Sequence, residues 1–149
     1  VKFSINDLIY RTIDIVKPIY QKNKITIKYN YKEDIYLHGY QNELGQSIIN
    51  IINNAKDAFL ENKIENKTIT INLEKQQDNV LLSISDNAGG IPTDIINKIF
   101  DPYFSTKTEK NGIGIGLYMT KMIIEENMDG KLNCSNSENG ATFLIILPL

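Results

Sequence analysis

Cysteine is almost missing from this chain, with Cys134 standing alone among 149 residues. A lone thiol cannot close an internal disulfide, which fits a reducing compartment; late in the chain, it reads as a small buried side chain rather than a nucleophile. Histidine is equally scarce. His38 has no second histidine or cysteine cluster beside it, so neither a zinc-type site nor a histidine base is indicated, and it reads as a packed or surface residue. An excess of either charge is also lacking: 16 Lys and Arg against 18 Asp and Glu give a net charge of −2, which argues against a surface built to coat nucleic acid or anionic membrane. Any phosphate binding must be local. No apolar run approaches the length needed to span a bilayer, and no signal-peptide pattern precedes the first helix, so the chain reads as cytoplasmic. A composition 42% hydrophobic and 23% charged over this length suits one domain, residues 1–149, with one core. The start at Val1, already close to a helical pattern, suggests a piece of a longer protein.

From Ser4, a plausible N-cap, Ile5, Leu8, Ile9, Ile13, Ile15 and Val16 keep a helical beat, and Pro18 should kink or end that helix near Lys17. Residues 25–31 alternate and residues 35–38 form a short apolar run, so with Lys32-Glu33-Asp34 between them they are expected to pair as strands. A long helix should cover residues 42–60, and a central hairpin residues 67–75 and 79–85. Residues 93–100 should form a short helix, and 101–116, with three glycines and no sustained period, a functional loop. Residues 117–128 return to helix, Asp129-Gly130 closes it, and residues 131–135 and 142–147 form a last strand pair around Asn139-Gly140. Strands arriving in pairs between helices imply an α/β fold, a two-layer sandwich with a mixed sheet and helices on one face.

Within the long helix, Ile48, Ile51, Ile52, Ala55 and Phe59 mark a buried face, while Asn50 and Asn54 project side by side along another. Asparagine is a poor helix former. The pair reads either as an exposed polar stripe or as amide oxygens facing a magnesium ion and its phosphates. Downstream, Asp86-Asn87-Ala88-Gly89-Gly90-Ile91-Pro92 closes a strand with turn residues, and Gly112, Gly114 and Gly116 leave amides uncovered just before a helix.

These segments, with Phe100-Asp-Pro-Tyr-Phe104-Ser-Thr-Lys107, resemble in order and spacing the N, G1, F and G2 boxes of bacterial sensor histidine kinases. The superfamily also includes gyrase, the Hsp90 chaperones and the MutL repair proteins, and the resemblance covers nearly the whole chain as a catalytic, ATP-binding domain of the Bergerat type. It implies ATP and Mg2+ as ligands, with Asn54 on the metal and Asn50 and Lys107 in catalytic positions. Nucleotide contacts are implied for Asn50, Asn54, Asp57, Asp86, Ala88, Gly90, Ile91, Phe100, Lys107, Gly112, Gly114, Gly116, Leu117 and Thr142. Asp86 would accept from the adenine amine, with Thr142 joining it through water, and Gly90 would let the base approach the backbone. Phe100, Tyr103 and Phe104 would pin the base of a lid that the terminal phosphate orders. Ala88 replaces the first glycine of the G1 box, a methyl group that resists positive φ.

Hydrolytic branches of the superfamily carry at the Asn50 position a glutamate that activates water, and an amide cannot take a proton. The resemblance therefore implies transfer rather than hydrolysis. The phosphoacceptor histidine of such kinases sits on a separate two-helix dimerisation domain, and His38 does not match it. The implied partners are that domain and a downstream response regulator, with no nucleic acid and no direct membrane contact. The isolated domain would be monomeric, its parent a homodimer in the cytoplasm or the cytoplasmic part of a membrane-anchored receptor. Alternatives are an anti-sigma-type serine kinase, an ATP-hydrolysing relative and a non-catalytic nucleotide-binding module.

Overall fold

The structure, a computed structural model, describes residues 2–102, 104 and 116–149. Strand β1 (Lys2–Ser4) leads into helix α1 (Ile5–Lys22), where the Ser4 hydroxyl accepts from the Asp7 N–H at 3.1 Å and caps the first turn. The helix does not break near Lys17. It continues through Pro18 because that residue and Asp14, whose carbonyl Pro18 cannot bond, both lie on the exposed side, where water can take the carbonyl. Ile15 is on the same side and is 68% exposed, so it keeps no core contact, whereas Ile5, Leu8, Ile9 and Val16 are buried as their spacing predicts.

Strands β2 (Thr26–Tyr31) and β3 (Tyr36–His38) form where expected but do not pair with each other. β3 runs antiparallel to β1, with Phe3 opposite Leu37. β2 runs parallel to β4 (Thr68–Gln76), with Thr26 opposite Thr68. Alternation marks a strand but not its neighbour. Between them lies α2 (Gln41–Asn62), which ends where Lys63 turns left-handed and its N–H bonds the Phe59 carbonyl. α2 approaches α1 closely at Gly45, where an added Cβ would stand 3.3 Å from Leu8 Cδ1.

β4 and β5 (Asn79–Asp86) make the expected hairpin, and β6 (Lys131–Asn136) and β7 (Ala141–Pro148) pair antiparallel. The five-stranded sheet has the order β2-β4-β5-β7-β6 and only its β2–β4 pair is parallel. Ile69, Ile71 and Leu73, Val80, Leu82 and Ile84, and Phe143, Ile145 and Leu147 alternate onto one face and are buried against the apolar sides of the helices. This is the two-layer sandwich with a mixed sheet and helices on one face.

Residues 93–100 yield only a 3-10 turn, Ile96–Lys98, rather than a helix; one turn is enough to carry Ile99 into the core and is too short to propagate. The final helix α3 (Gly116–Met122) widens into a π-helical turn, Ile123–Asn127, and the Gly130 N–H returns to the Ile124 carbonyl. The edge strand β6 is held by two side chains from this helix. Lys121 Nζ donates to the Leu132 carbonyl at 3.0 Å, Glu125 Oε2 accepts from the Leu132 N–H at 3.2 Å, and the two side chains pair at 3.2 Å. Among the described residues, no helix is long and apolar enough to cross a membrane.

Candidate nucleotide-binding site

Packing of Ile48, Ile51, Ile52, Ala55 and Phe59 into the core fixes the rotation of α2, leaving half-buried Asn50, Asn54 and Asp57 along another side. The two carboxamides are oriented. Asn54 Nδ2 donates to the Asn50 main-chain carbonyl at 3.2 Å, which leaves Oδ1 without a hydrogen-bond partner among the described residues. Asn50 Nδ2 donates to Thr120 Oγ1 at 3.1 Å, while its Oδ1 accepts from Gln46 Nε2 at 3.1 Å. One turn beyond Asn54, Asp57 lies near the Tyr20 phenol, whose ionisation is suppressed first by burial and then by that carboxylate. Tyr20 in turn donates to Asn53 Oδ1 at 2.7 Å, bracing α1 on α2.

At the end of β5, the Asp86 side chain falls on the helix-facing side of the sheet, in step with Val80, Leu82 and Ile84. Its Oδ1 accepts from the Ala88 N–H at 3.0 Å and the Ala141 N–H at 3.2 Å. Oδ2 has no donor among the described residues. Burial raises the carboxyl above its usual 3.8, and the two amides oppose that rise. Gly140 is the condition for this arrangement, because a Cβ there would collide with the Asp86 main-chain carbonyl.

The turn that follows answers the question posed by Ala88. Positive φ falls on Gly89 (100°) and Gly90 (82°) and not on Ala88, whose methyl group is buried, so the alanine sits in this turn without backbone strain. Asn62 Nδ2 donates to the Ala88 carbonyl at 2.7 Å, and Asn139 O accepts from the Gly89 N–H at 2.9 Å. Ile91 is held at both main-chain atoms by Asn136, whose Oδ1 accepts from the Ile91 N–H at 2.8 Å and whose Nδ2 donates to its carbonyl at 2.7 Å.

Phe100 meets Phe143 edge to face at 6.2 Å and lies under the Lys121 ammonium at 4.8 Å, so it joins the loop after the 3-10 turn to both β7 and α3. Phe104 packs partly buried on the same core. Gly116 begins α3, Leu117 is partly buried beside it, and the Thr120 hydroxyl donates to the Gly116 carbonyl at 2.8 Å. Tyr103, Lys107, Gly112 and Gly114 lie outside the described residues.

One expected contact is not formed. Thr142 does not join Asp86: strand alternation turns Ala141 and Phe143 toward the helices and Thr142 to the opposite face, where its hydroxyl meets Ser85 Oγ at 2.9 Å. The residue that reaches Asp86 is Ala141, through its backbone. The structure also adds residues that the sequence reading passed over: Thr120 under Asn50, Asn136 across Ile91, and Asn62 on Ala88. For Asn136, its place in the strand before the Asn139-Gly140 turn offered a signal. A single threonine in an amphipathic helix offers none.

α2 packs against both β5 and α3, and among the described residues Asp86 Oδ2 at the end of β5 and Asn54 Oδ1 on α2 are oxygens left without a hydrogen-bond donor. A buried carboxylate oxygen can read an exocyclic amine, and neutral hard oxygens suit magnesium. Among the described residues, no group of three His, Cys, Asp or Glu side chains is placed to hold a metal.

Residues 39–149 match the family described as histidine kinase-, DNA gyrase B- and HSP90-like ATPases. The nucleotide-free catalytic domain of the histidine kinase ThkA superposes with a TM-score of 0.87 at 30% identity, covering 99% of this chain and 94% of that one. The chain belongs to the histidine kinase catalytic domains of this family. ThkA in complex with the response regulator TrrA gives a TM-score of 0.82 at 28% identity, over 99% of the present kinase domain and 41% of that chain. The domain is also 35% identical over 116 residues to the two-component sensor PprA of Pseudomonas aeruginosa, covering 76% of this chain and only 12% of PprA. The kinase domain thus spans a small part of that curated relative.

Proposed function

We propose that residues 1–149 act as the catalytic and ATP-binding domain of a sensor kinase that hands the γ-phosphoryl group of ATP to a histidine on a separate dimerisation domain, for onward passage to a response regulator. The observation that carries this reading is Asn50: where hydrolytic members of the superfamily keep a glutamate, this chain has an amide whose nitrogen is committed to Thr120. No proton acceptor stands there to activate water. The ThkA complex with TrrA supports a response regulator as the downstream partner, and the domain is read as a cytoplasmic monomer within a homodimeric parent.

In this reading Asp86 Oδ2 accepts from the adenine amine, Gly90 and Ile91 flank the base, and Asn54 Oδ1 would hold a magnesium ion with help from Asn50. Bound with the nucleotide, magnesium supplies neutralisation of phosphate charge. The chain's own contribution is positioning: α2 fixes the two carboxamides, the Gly140 turn fixes Asp86, and the Gly116 end of α3 offers the phosphates a helix start alongside Gly112, Gly114 and Lys107.

The test is transfer of labelled γ-phosphate from ATP to the separately purified dimerisation domain of the parent protein. Wild type should label it while turning ATP over very slowly alone, Asn54→Ala should abolish labelling, and His38→Ala should leave it intact. Brisk hydrolysis without a partner, or loss of labelling in the His38 variant, overturns the assignment.

A further inference from the structure

We propose that Thr120 is the positioning residue that makes Asn50 present oxygen, rather than nitrogen, to the nucleotide's metal. The proposal rests on the magnesium–ATP reading above and concerns a residue outside the four boxes.

Thr120 is 0% exposed, and its hydroxyl has one proton. That proton is committed to the Gly116 carbonyl at 2.8 Å, the first residue of α3. Toward Asn50 the oxygen can therefore only accept, and a carboxamide facing an acceptor must turn its NH2 inward. The 3.1 Å contact from Asn50 Nδ2 is this bond, so Asn50 Oδ1 points the other way. There it receives one hydrogen bond from exposed Gln46, and an amide oxygen has a second lone pair to offer. Asn54 is oriented in the same sense by a main-chain carbonyl. The two asparagines thus offer two oxygens, and only one of these orientations is enforced by another side chain.

The same hydroxyl joins the start of α3 to α2. Gly116 is the last of the three glycines read as phosphate contacts, so the first residue of α3 and the Asn50 side chain are bonded to one and the same hydroxyl. Without the hydroxyl, the Asn50 amide can rotate by half a turn and direct N–H groups at a cation. Residues that orient metal-facing side chains typically carry about 10- to 100-fold in metal affinity.

The experiment measures calorimetric affinity of the chain for a non-hydrolysable ATP analogue in EDTA and across a magnesium chloride titration. Thr120→Val, which keeps the side-chain shape, should bind the analogue like wild type in EDTA but need about 10-fold more magnesium for the metal-dependent gain. Thr120→Ser should restore it. In a double-mutant cycle, adding Thr120→Val to Asn50→Ala should cost nothing further, because the threonine acts through the asparagine. Should Thr120→Val fail to fold, Thr120→Cys, whose sulfur is a weak acceptor, takes its place. A wild-type magnesium response in the folded variant, an equal loss with and without metal, or additive effects in the cycle would overturn the inference. If wild type itself gains nothing from magnesium, the metal reading falls and the inference with it; the same gain in both proteins at the same magnesium concentration removes the inference alone.

Discussion

At the residue scale the division of labour within Asp86 is informative. One carboxylate oxygen takes both backbone amides, from Ala88 and Ala141, and the other is left for a ligand. Asp86→Asn can keep Oδ1 on the two amides while exchanging the free acceptor for a donor. Nucleotide affinity should fall by about 1.5–3 kcal/mol, read by calorimetry, while the melting temperature of the free domain holds or rises because a buried charge has gone. Unchanged affinity would reduce Asp86 to a turn residue. The raised titration of this carboxyl has two opposite consequences. Its folded value lies above the unfolded one, so its contribution to stability is full below the ordinary 3.8 and is lost as pH rises through the folded value. Adenine binding, which uses the ionised form, should instead weaken as pH falls through that raised value, earlier than an ordinary aspartate would allow. Cys134 offers a separate check: burial first and Asp86 second push its thiol up to about 12, so the native domain at pH 8 should react slowly with a disulfide reagent and denatured chains quickly.

At the element scale, β6 depends on α3 and the π-helical turn behind it. Leu132 would otherwise present an unpaired N–H and carbonyl at the edge of the sheet, and Glu125 and Lys121 cover them as a missing strand would. Lys121→Met keeps the apolar stem but uncovers the carbonyl and loses the contact with Phe100. A loss of roughly 1 kcal/mol, about 2–4 °C in melting temperature by calorimetry, is expected; no change would mean that water replaces the ammonium at no cost. Elements of this kind divide into those the sequence could announce and those it could not. The long helix was legible because five apolar residues repeat on one face, and the β4–β5 hairpin because its turn is short. β2 and β3 were legible as strands, yet their partners were not, because alternation specifies a buried face and is silent on the neighbour along the hydrogen-bonding edge. The Thr142 contact failed for a related reason: a one-residue step along a strand changes the face. Asp86, Asn50 and Asn54 were legible as candidates because their surroundings form spaced patterns, whereas Thr120 bonds through one hydroxyl that no spacing reveals.

For the whole molecule, the parallel join of β2 to β4 governs assembly as well as shape. Each β2 residue meets a partner far along the chain, as Asn30 does with Asn72 across 42 positions, whereas β4 and β5 meet across a tight turn. Closing that long loop costs conformational entropy before any strand contact can repay it, so the order of events during folding should follow the topology. The β4–β5 hairpin with α2 against it can condense first, and β2 then adds to an edge already built. Substitutions that weaken β2, such as Ile27→Ala, should accelerate unfolding and leave the refolding rate nearly unchanged, whereas Leu82→Ala in β5 should slow refolding. Stopped-flow refolding and unfolding of the two variants measures both rates, and a refolding rate that drops with Ile27→Ala would place the parallel join in the nucleus. On this route the outer strand is also the first to detach, so a chain under mechanical or proteolytic stress loses β2 while the Asp86 turn and the asparagine helix are still assembled.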